Sequence, residues 1–294
     1  MQNAQPRAVQ SVVPSIRTLE GAGFPVRRPF PQTGLLQVDP FLLLDHFGPV
    51  KWGPGEAIGA PDHPHRGFET VTYLLSGGLQ HKDSVGHTGK LHPGDVQWMT
   101  AGRGIVHSEL PSDEFLRDGG VMHGVQIWVN LPARAKMVAP RYQDIPSARI
   151  PRAASADGKV QVRVIAGEAL GRLAVIDTHT PIVYLHFTIA PGGALTQPLP
   201  ANHNALVYLV SGTAQIGPER KPVREGELAL LDDGGGVLLA VAPDAAGPAE
   251  LLLLAGAPLG EPVARYGPFV MNTETEIRQA IRDYQEGRMG QIRV

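Results

Sequence analysis

Apolar residues along this chain come in short bursts, each closed by glycine, proline, serine or aspartate. Leu35 to Val38, Phe68 to Leu75, Val96 to Met99 and Val125 to Val129 have this form in the first part. Between them, Ser76-Gly77-Gly78, Pro93-Gly94-Asp95 and Ala101-Gly102-Arg103-Gly104 carry turn residues. The rhythm resumes at Val160 to Ile165, Ile182 to Ile189, Leu206 to Val210, Glu227 to Leu231 and Val237 to Val241. Bursts of strand length between turn signals predict a fold made of many short strands, hence an all-β chain. The stretch from Pro140 to Gly158 lacks this regularity and reads as a linker.

The two halves echo one another. Tyr73-Leu74-Leu75-Ser76-Gly77 is matched by Tyr208-Leu209-Val210-Ser211-Gly212, and Pro93-Gly94-Asp95 by Glu225-Gly226-Glu227. Internal duplication of one β-barrel unit follows, with ordinary strand-to-turn junctions as the plainer alternative. A length of 294 residues also fits two domains, at about 150 residues each. The expected division is 1–140 and 141–294. The end of the chain has a helical pattern instead. Asn272 or Thr273 caps a predicted helix whose first turn carries Glu274 and Glu276. Its apolar stripe is Ile277, Ala280, Ile281 and Tyr284, with Gly287 at its C-terminal end.

Composition narrows the function classes. Net charge is -2, which leaves no basic footprint for nucleic acid. Charged residues make up 18% of the chain, which holds 35 glycines and 27 prolines, a balance that favours turns over long helices. The absence of cysteine rules out disulfides and thiolate ligands. The N-terminal residues lack the apolar core of a signal peptide, and no apolar run approaches the roughly 20 residues a spanning helix needs. A cytoplasmic protein with no membrane partner is the expectation.

The candidate chemistry lies in His63-Pro64-His65 and His107-Ser108-Glu109. Residues two apart on a strand point to one face, so each pair projects two potential ligands together. If the two strands are neighbours, three imidazoles and one carboxylate converge. That donor set suits iron, nickel, copper, manganese or zinc better than calcium or magnesium. Eight of the 11 histidines fall between positions 46 and 123. His81, His87 and His92 are expected as solvated loop residues, and His46 and His123 as satisfied polar groups. Asp45 and Gln126 are polar residues in apolar settings, so each is a candidate to support a ligand or a metal-bound water. Arg103, between two glycines, reads as a loop arginine.

The segment from His63 through Arg66-Gly67-Phe68-Glu69-Thr70-Val71-Thr72-Tyr73 to Leu75 resembles the signature of the pirins, in the cupin superfamily. So do Pro93 to Glu109, Gln126 to Pro132 and Gly267 to Thr273. The resemblance implies a bicupin, two antiparallel β-barrels of jelly-roll type, with one mononuclear iron (Fe2+) in the first. It assigns His63, His65, His107 and Glu109 as ligands. A general cupin pattern would use Glu69; the pirin pattern gives that role to Glu109. The second half has only His203 near the echo, so its barrel is expected to be metal-free.

The resemblance further implies a quercetin 2,3-dioxygenase-like activity on a flavonol and dioxygen, with Glu109 as the catalytic base. A second implied reading is an iron-dependent, redox-sensing regulator that binds a protein partner without catalysis. A structural zinc site is a third.

Overall fold

The structure, a computed structural model, describes residues 5–292. Two compact units make up the chain. Each is built on one seven-stranded and one four-stranded antiparallel sheet.

In the unit that carries the HxH and HxE pairs, the larger sheet runs Arg141–Ile145, Val96–Thr100, Phe68–Ser76, Gly120–Asn130, Phe41–Trp52, Phe24–Phe30, Ile16–Glu20. The smaller runs Ala60–His65, Ile105–Pro111, Leu79–Asp83, Thr88–Leu91. In the other unit the larger sheet runs Val9–Pro14, Glu227–Leu231, Asn204–Ser211, Ala249–Gly256, Ile182–Ile189, Val160–Ala166, Arg152–Ala154. Its smaller sheet runs Ala194–Pro198, Gly236–Ala240, Thr213–Ile216, Lys221–Arg224. The two orders correspond strand for strand. Phe68–Ser76 and Asn204–Ser211, which hold the echoed sequences, are the third strand of their respective sheets. The all-β bicupin architecture is therefore present, and the duplication extends to the whole unit.

Three sequence expectations change. The units do not divide at 140. One comprises Gln32–Pro40, Ala148–Pro258 and the N-terminal segment as far as Ile16; the other comprises Arg17–Pro31, Phe41–Ser147 and Leu259–Val294. The cause is strand pairing: Val9–Pro14 completes the later unit by pairing with Glu227–Leu231, from Pro14 opposite Glu227 to Val9 opposite Leu231. The stretch 140–158 is no plain linker, because Arg141–Ile145 pairs with Val96–Thr100 and Arg152–Ala154 with Val160–Ala166. Leu35 to Val38 forms isolated bridges rather than a strand.

The terminal helix, Glu274–Gln285, begins as predicted. The Thr273 side chain accepts from the Glu276 backbone, and the Glu276 carboxylate accepts from the Thr273 N–H at 2.8 Å. Ile277 and Ala280 bury against Val106, Phe269, Met271 and Met289 in the unit that carries the HxH and HxE pairs, with Ile281 packed beside them. Tyr284 leaves the stripe and is 40% exposed; the largely buried position belongs to Asp283. Its carboxylate accepts from Arg66 Nη1 at 2.7 Å, Gln279 at 2.6 Å and Arg288 Nε at 2.8 Å.

Arg66 also donates to the Arg103 carbonyl at 2.6 Å, so the helix grips the turn that follows His65. Gly67, the next residue, has φ +88, and a Cβ there would lie 2.0 Å from the Val270 carbonyl oxygen. Only glycine fits that approach.

Burial acts upward on the Asp283 carboxyl, but the bonds from Arg288, Arg66 and Gln279 hold it down at about 2. An unfolded aspartate titrates near 3.9. The folded chain therefore gains stability from this group above about pH 4, and loses it as pH falls toward 2. Asp283→Asn is expected to cost about 3 kcal/mol near neutral pH, because Arg66 keeps its buried charge without a counterion. Thermal unfolding followed from pH 7 to pH 2 reads both effects: a lower midpoint at pH 7 and a flatter acid limb. An unchanged profile would contradict the role given to this ion pair.

Candidate metal centre

Strand pairing brings the two motifs together. Ala60–His65 runs antiparallel to Ile105–Pro111, with His65 opposite Ile105 and His63 directly opposite His107. The register shifts between His107 and Glu109, where Glu109 stands opposite Ala60. The extra residue falls on the Ala60–His65 side, at Pro61-Asp62. Such a bulge re-aims side chains beside a site.

Ligand atoms of His63, His65 and His107 all lie within 4.8 Å of one another. His107 is fully buried, His65 nearly so, and His63 sits half-buried at the edge. Burial, then the neighbouring imidazoles, push His65 and His107 well below the usual histidine range. Both rings are therefore neutral near pH 7, as ligation requires.

The hydrogen bonds fit a cation. His63 Nδ1 is 2.7 Å from the Pro61 carbonyl oxygen. A carbonyl only accepts, so this nitrogen carries the proton and His63 Nε2 presents a lone pair. That lone pair faces His65 Nε2 at 3.0 Å. Neither ring nitrogen of His107 has a hydrogen-bond partner, although both are shielded from solvent. Buried polar atoms left in this way call for an ion or another donor. Three imidazoles with a carboxylate close by suit a borderline first-row metal.

Glu109 lies outside the 4.8 Å group but lines the same cavity as His63 and His65. Its Oε1 accepts from the Thr72 hydroxyl at 2.9 Å, and the Gln126 amide donates to Oε2 at 2.9 Å and to Oε1 at 3.2 Å. Thr72 and Gln126 are cross-strand partners, so one face of the larger sheet holds the carboxylate. Glu69 differs from Thr72 by an odd number along the same strand and points to the opposite face. There it accepts from the Thr100 hydroxyl at 2.6 Å, and it does not line the cavity.

Gln126 therefore contacts a candidate ligand directly. Asp45 lines the cavity too, but its partner is not an imidazole as expected. Arg28 donates to Asp45 Oδ1 at 2.7 Å and to Oδ2 at 2.5 Å, and Arg28 also pairs with Glu20. Burial raises the Asp45 carboxyl to about 6 against the pull of Arg28.

His81 is a correction. It is 2% exposed rather than solvated, because Leu79–Asp83 pairs with Ile105–Pro111 and sets His81 opposite Glu109. Its Nδ1 meets Gln97 Nε2 at 2.5 Å, and its ring stacks on Tyr142 at 4.8 Å. His87 lies beside Tyr142 and pairs with Asp144 at 2.9 Å, while His92 is exposed. His46 and His123 face one another, Nε2 to Nε2, at 2.6 Å. Arg103 is exposed.

The cavity holds about 520 Å³. Phe24, Leu43, Phe47, Ile58, Met122 and Trp128 supply much of its apolar wall. Trp128 packs edge-on to His65, with ring centres 5.2 Å apart, and donates its indole N–H to Gln126 Oε1 at 3.3 Å. Sequence reasoning passed over Thr72 and Trp128. Their signal was there: Trp128 is two residues from Gln126, and Thr72 shares a face with Phe68. In the other unit, the strands equivalent to the ligand strands read ALTQP and GVLLA. Val162, Leu185, Phe187, Val207, Leu253 and other apolar side chains fill its interior.

Comparison with known proteins agrees with this architecture. The Pirin family model matches residues 23–129, and the Pirin C-terminal cupin domain matches residues 184–290. Pirin from Homo sapiens is 47% identical over 275 residues, covering 92% of this chain and 90% of the human protein. A Pirin-like protein from Solanum lycopersicum is 44% identical over 287 residues, covering 98% of this chain and 94% of that protein. The crystal structure of quercetin 2,3-dioxygenase from Acinetobacter baumannii aligns with a TM-score of 0.91 at 37% identity, over 98% of this chain and 100% of that one. With both barrels matched by family models and the relatives aligned over nearly its whole length, this chain belongs to the pirin family.

Proposed function

We propose that the protein is an iron-dependent dioxygenase that opens the central ring of a flavonol such as quercetin with loss of carbon monoxide. The observation that carries this reading is the shared cavity: His63 and His65, two of the three clustered imidazoles, and a separately held carboxylate line one largely apolar space, with His107 completing the cluster. The resemblance to the Acinetobacter baumannii quercetin 2,3-dioxygenase supports the same substrate class.

His63, His65, His107 and Glu109 would hold the ion, which when bound supplies a Lewis acid for chelating oxygens and a one-electron path to dioxygen. The chain's own residues do the rest. A flavonol enters with its 3-hydroxy-4-carbonyl edge toward the imidazoles and its rings against Trp128 and the apolar wall. Glu109 takes the 3-hydroxyl proton on a carboxylate oxygen, since it stands in the cavity as an acceptor. Thr72 and Gln126 fix that carboxylate by two donors, so its orientation is set before substrate arrives. The apolar wall keeps water from the resulting enolate and directs dioxygen, which is apolar, to it.

His107→Ala is expected to abolish retention of iron and to reduce aerobic flavonol loss to the buffer rate, read by elemental analysis and by the flavonol absorbance band. Turnover in that variant with no metal bound would overturn the reading. Gln126→Leu removes the amide that orients Glu109 while leaving all four proposed ligands. Its kcat should fall roughly 10- to 100-fold with iron content retained. A wild-type kcat would remove Gln126 from the mechanism.

A further inference from the structure

The cavity carries a cation against the Trp128 ring, which also contacts His65. Arg265, on the short strand Ala264–Tyr266, lies over the Trp128 ring with its guanidinium carbon 4.8 Å from the ring centre. Trp128 is thus the common neighbour of Arg265 and His65. Arg265 Nη1 donates to the Leu42 carbonyl at 3.2 Å, which occupies one of five guanidinium N–H donors. The side chain lines the cavity and is half-buried. Among the described residues no carboxylate forms an ion pair with it within 4.0 Å.

The other charges on the wall are already matched. Arg28 is held by Asp45 and Glu20, and both Asp45 oxygens are taken by Arg28. Glu109 accepts from Thr72 and Gln126. Asp62 is exposed. Arg265 is the wall cation with no carboxylate in ion-pair contact; Asp45 and Glu20, both bound to Arg28, act on its charge only from further away. Its remaining N–H donors form a planar fork beside an aromatic shelf, which matches a carboxylate on a flat ligand.

We propose that Arg265 is a specificity-determining residue that selects aromatic ligands bearing a carboxylate. The substrate class is then a metal-chelating enol with an acidic group on a ring distant from the chelating edge. This rests on the flavonol reading for the chelating half of the ligand, and on Arg265 alone for the acidic half.

The test uses iron-loaded full-length protein without dioxygen and two matched probe pairs, with affinity read by tryptophan fluorescence titration. The first pair is 3-hydroxyflavone and its 4′-carboxylate. The second, 2-naphthol and 2-naphthoate, lacks the chelating unit. The 4′-carboxylate should bind at least 10-fold tighter than its neutral partner. Arg265→Gln should collapse that ratio to near one, and Arg265→Lys should restore part of it; circular dichroism and iron content report on folding. A preference for naphthoate that depends on Arg265, with neither flavone bound, upholds acid selection and defeats the flavonol reading. Flavones bound without charge preference, or a preference that survives Arg265→Gln, would overturn the role of Arg265 and leave the flavonol reading standing.

Discussion

Everything at the centre depends on one antiparallel pairing, that of Ala60–His65 with Ile105–Pro111. Separately, each strand carries an ordinary pair of polar residues. Once His63 stands opposite His107, three imidazoles share a space, and burial keeps His65 and His107 neutral there. Strand period makes the pairing unforgiving, since a slip of one residue would put one pair on the opposite face from the other. The bulge at Pro61-Asp62 shifts Glu109 along the register relative to the histidines. That offset separates a tight imidazole cluster from a carboxylate with its own hydrogen-bond partners.

Much of the surrounding structure keeps that pairing in place. Gly67 turns the chain directly after His65-Arg66, where the Val270 backbone admits no side chain. Arg66 reaches from the same turn to Asp283 on the terminal helix, so the end of the chain braces the middle. Lys136 adds a third hold: its buried ammonium donates to the Gly67 carbonyl, Asn130 Oδ1 and the Val270 carbonyl, at 2.9, 2.7 and 3.0 Å. Buried cations so placed act on the histidine cluster by fixing backbone, without touching its side chains.

The strand rhythm, the duplicated unit and the grouping of His63, His65 and His107 were legible in the sequence, because period two within a short segment points to them, whereas Glu109 lines the cavity outside that group. What escaped it was set by contacts between distant segments. Val9–Pro14 falls inside the expected first domain, 1–140, but its partner is Glu227–Leu231. His81 sits in a polar, turn-rich stretch and reads as solvated; pairing with Ile105–Pro111 buries it. Asp283 breaks an apolar helix stripe, and only Arg66, far away in the chain, explains its burial. Asp45 was recognised as a buried polar group needing a partner, yet that partner, Arg28, came from a neighbouring strand rather than from the metal site. Arg265 had no motif around it, and its position over Trp128 appears only in three dimensions.

The central claim is that His63, His65, His107 and Glu109 hold one ion together. X-ray absorption at the iron edge of the fully loaded protein tests it most directly, because imidazole rings give a countable multiple-scattering pattern. The account predicts one iron per chain with three imidazoles and at least one carboxylate oxygen, and loss of one imidazole in His63→Ala. An iron with two or fewer imidazoles in the wild-type protein, or a pattern that His63→Ala leaves unchanged, would contradict it.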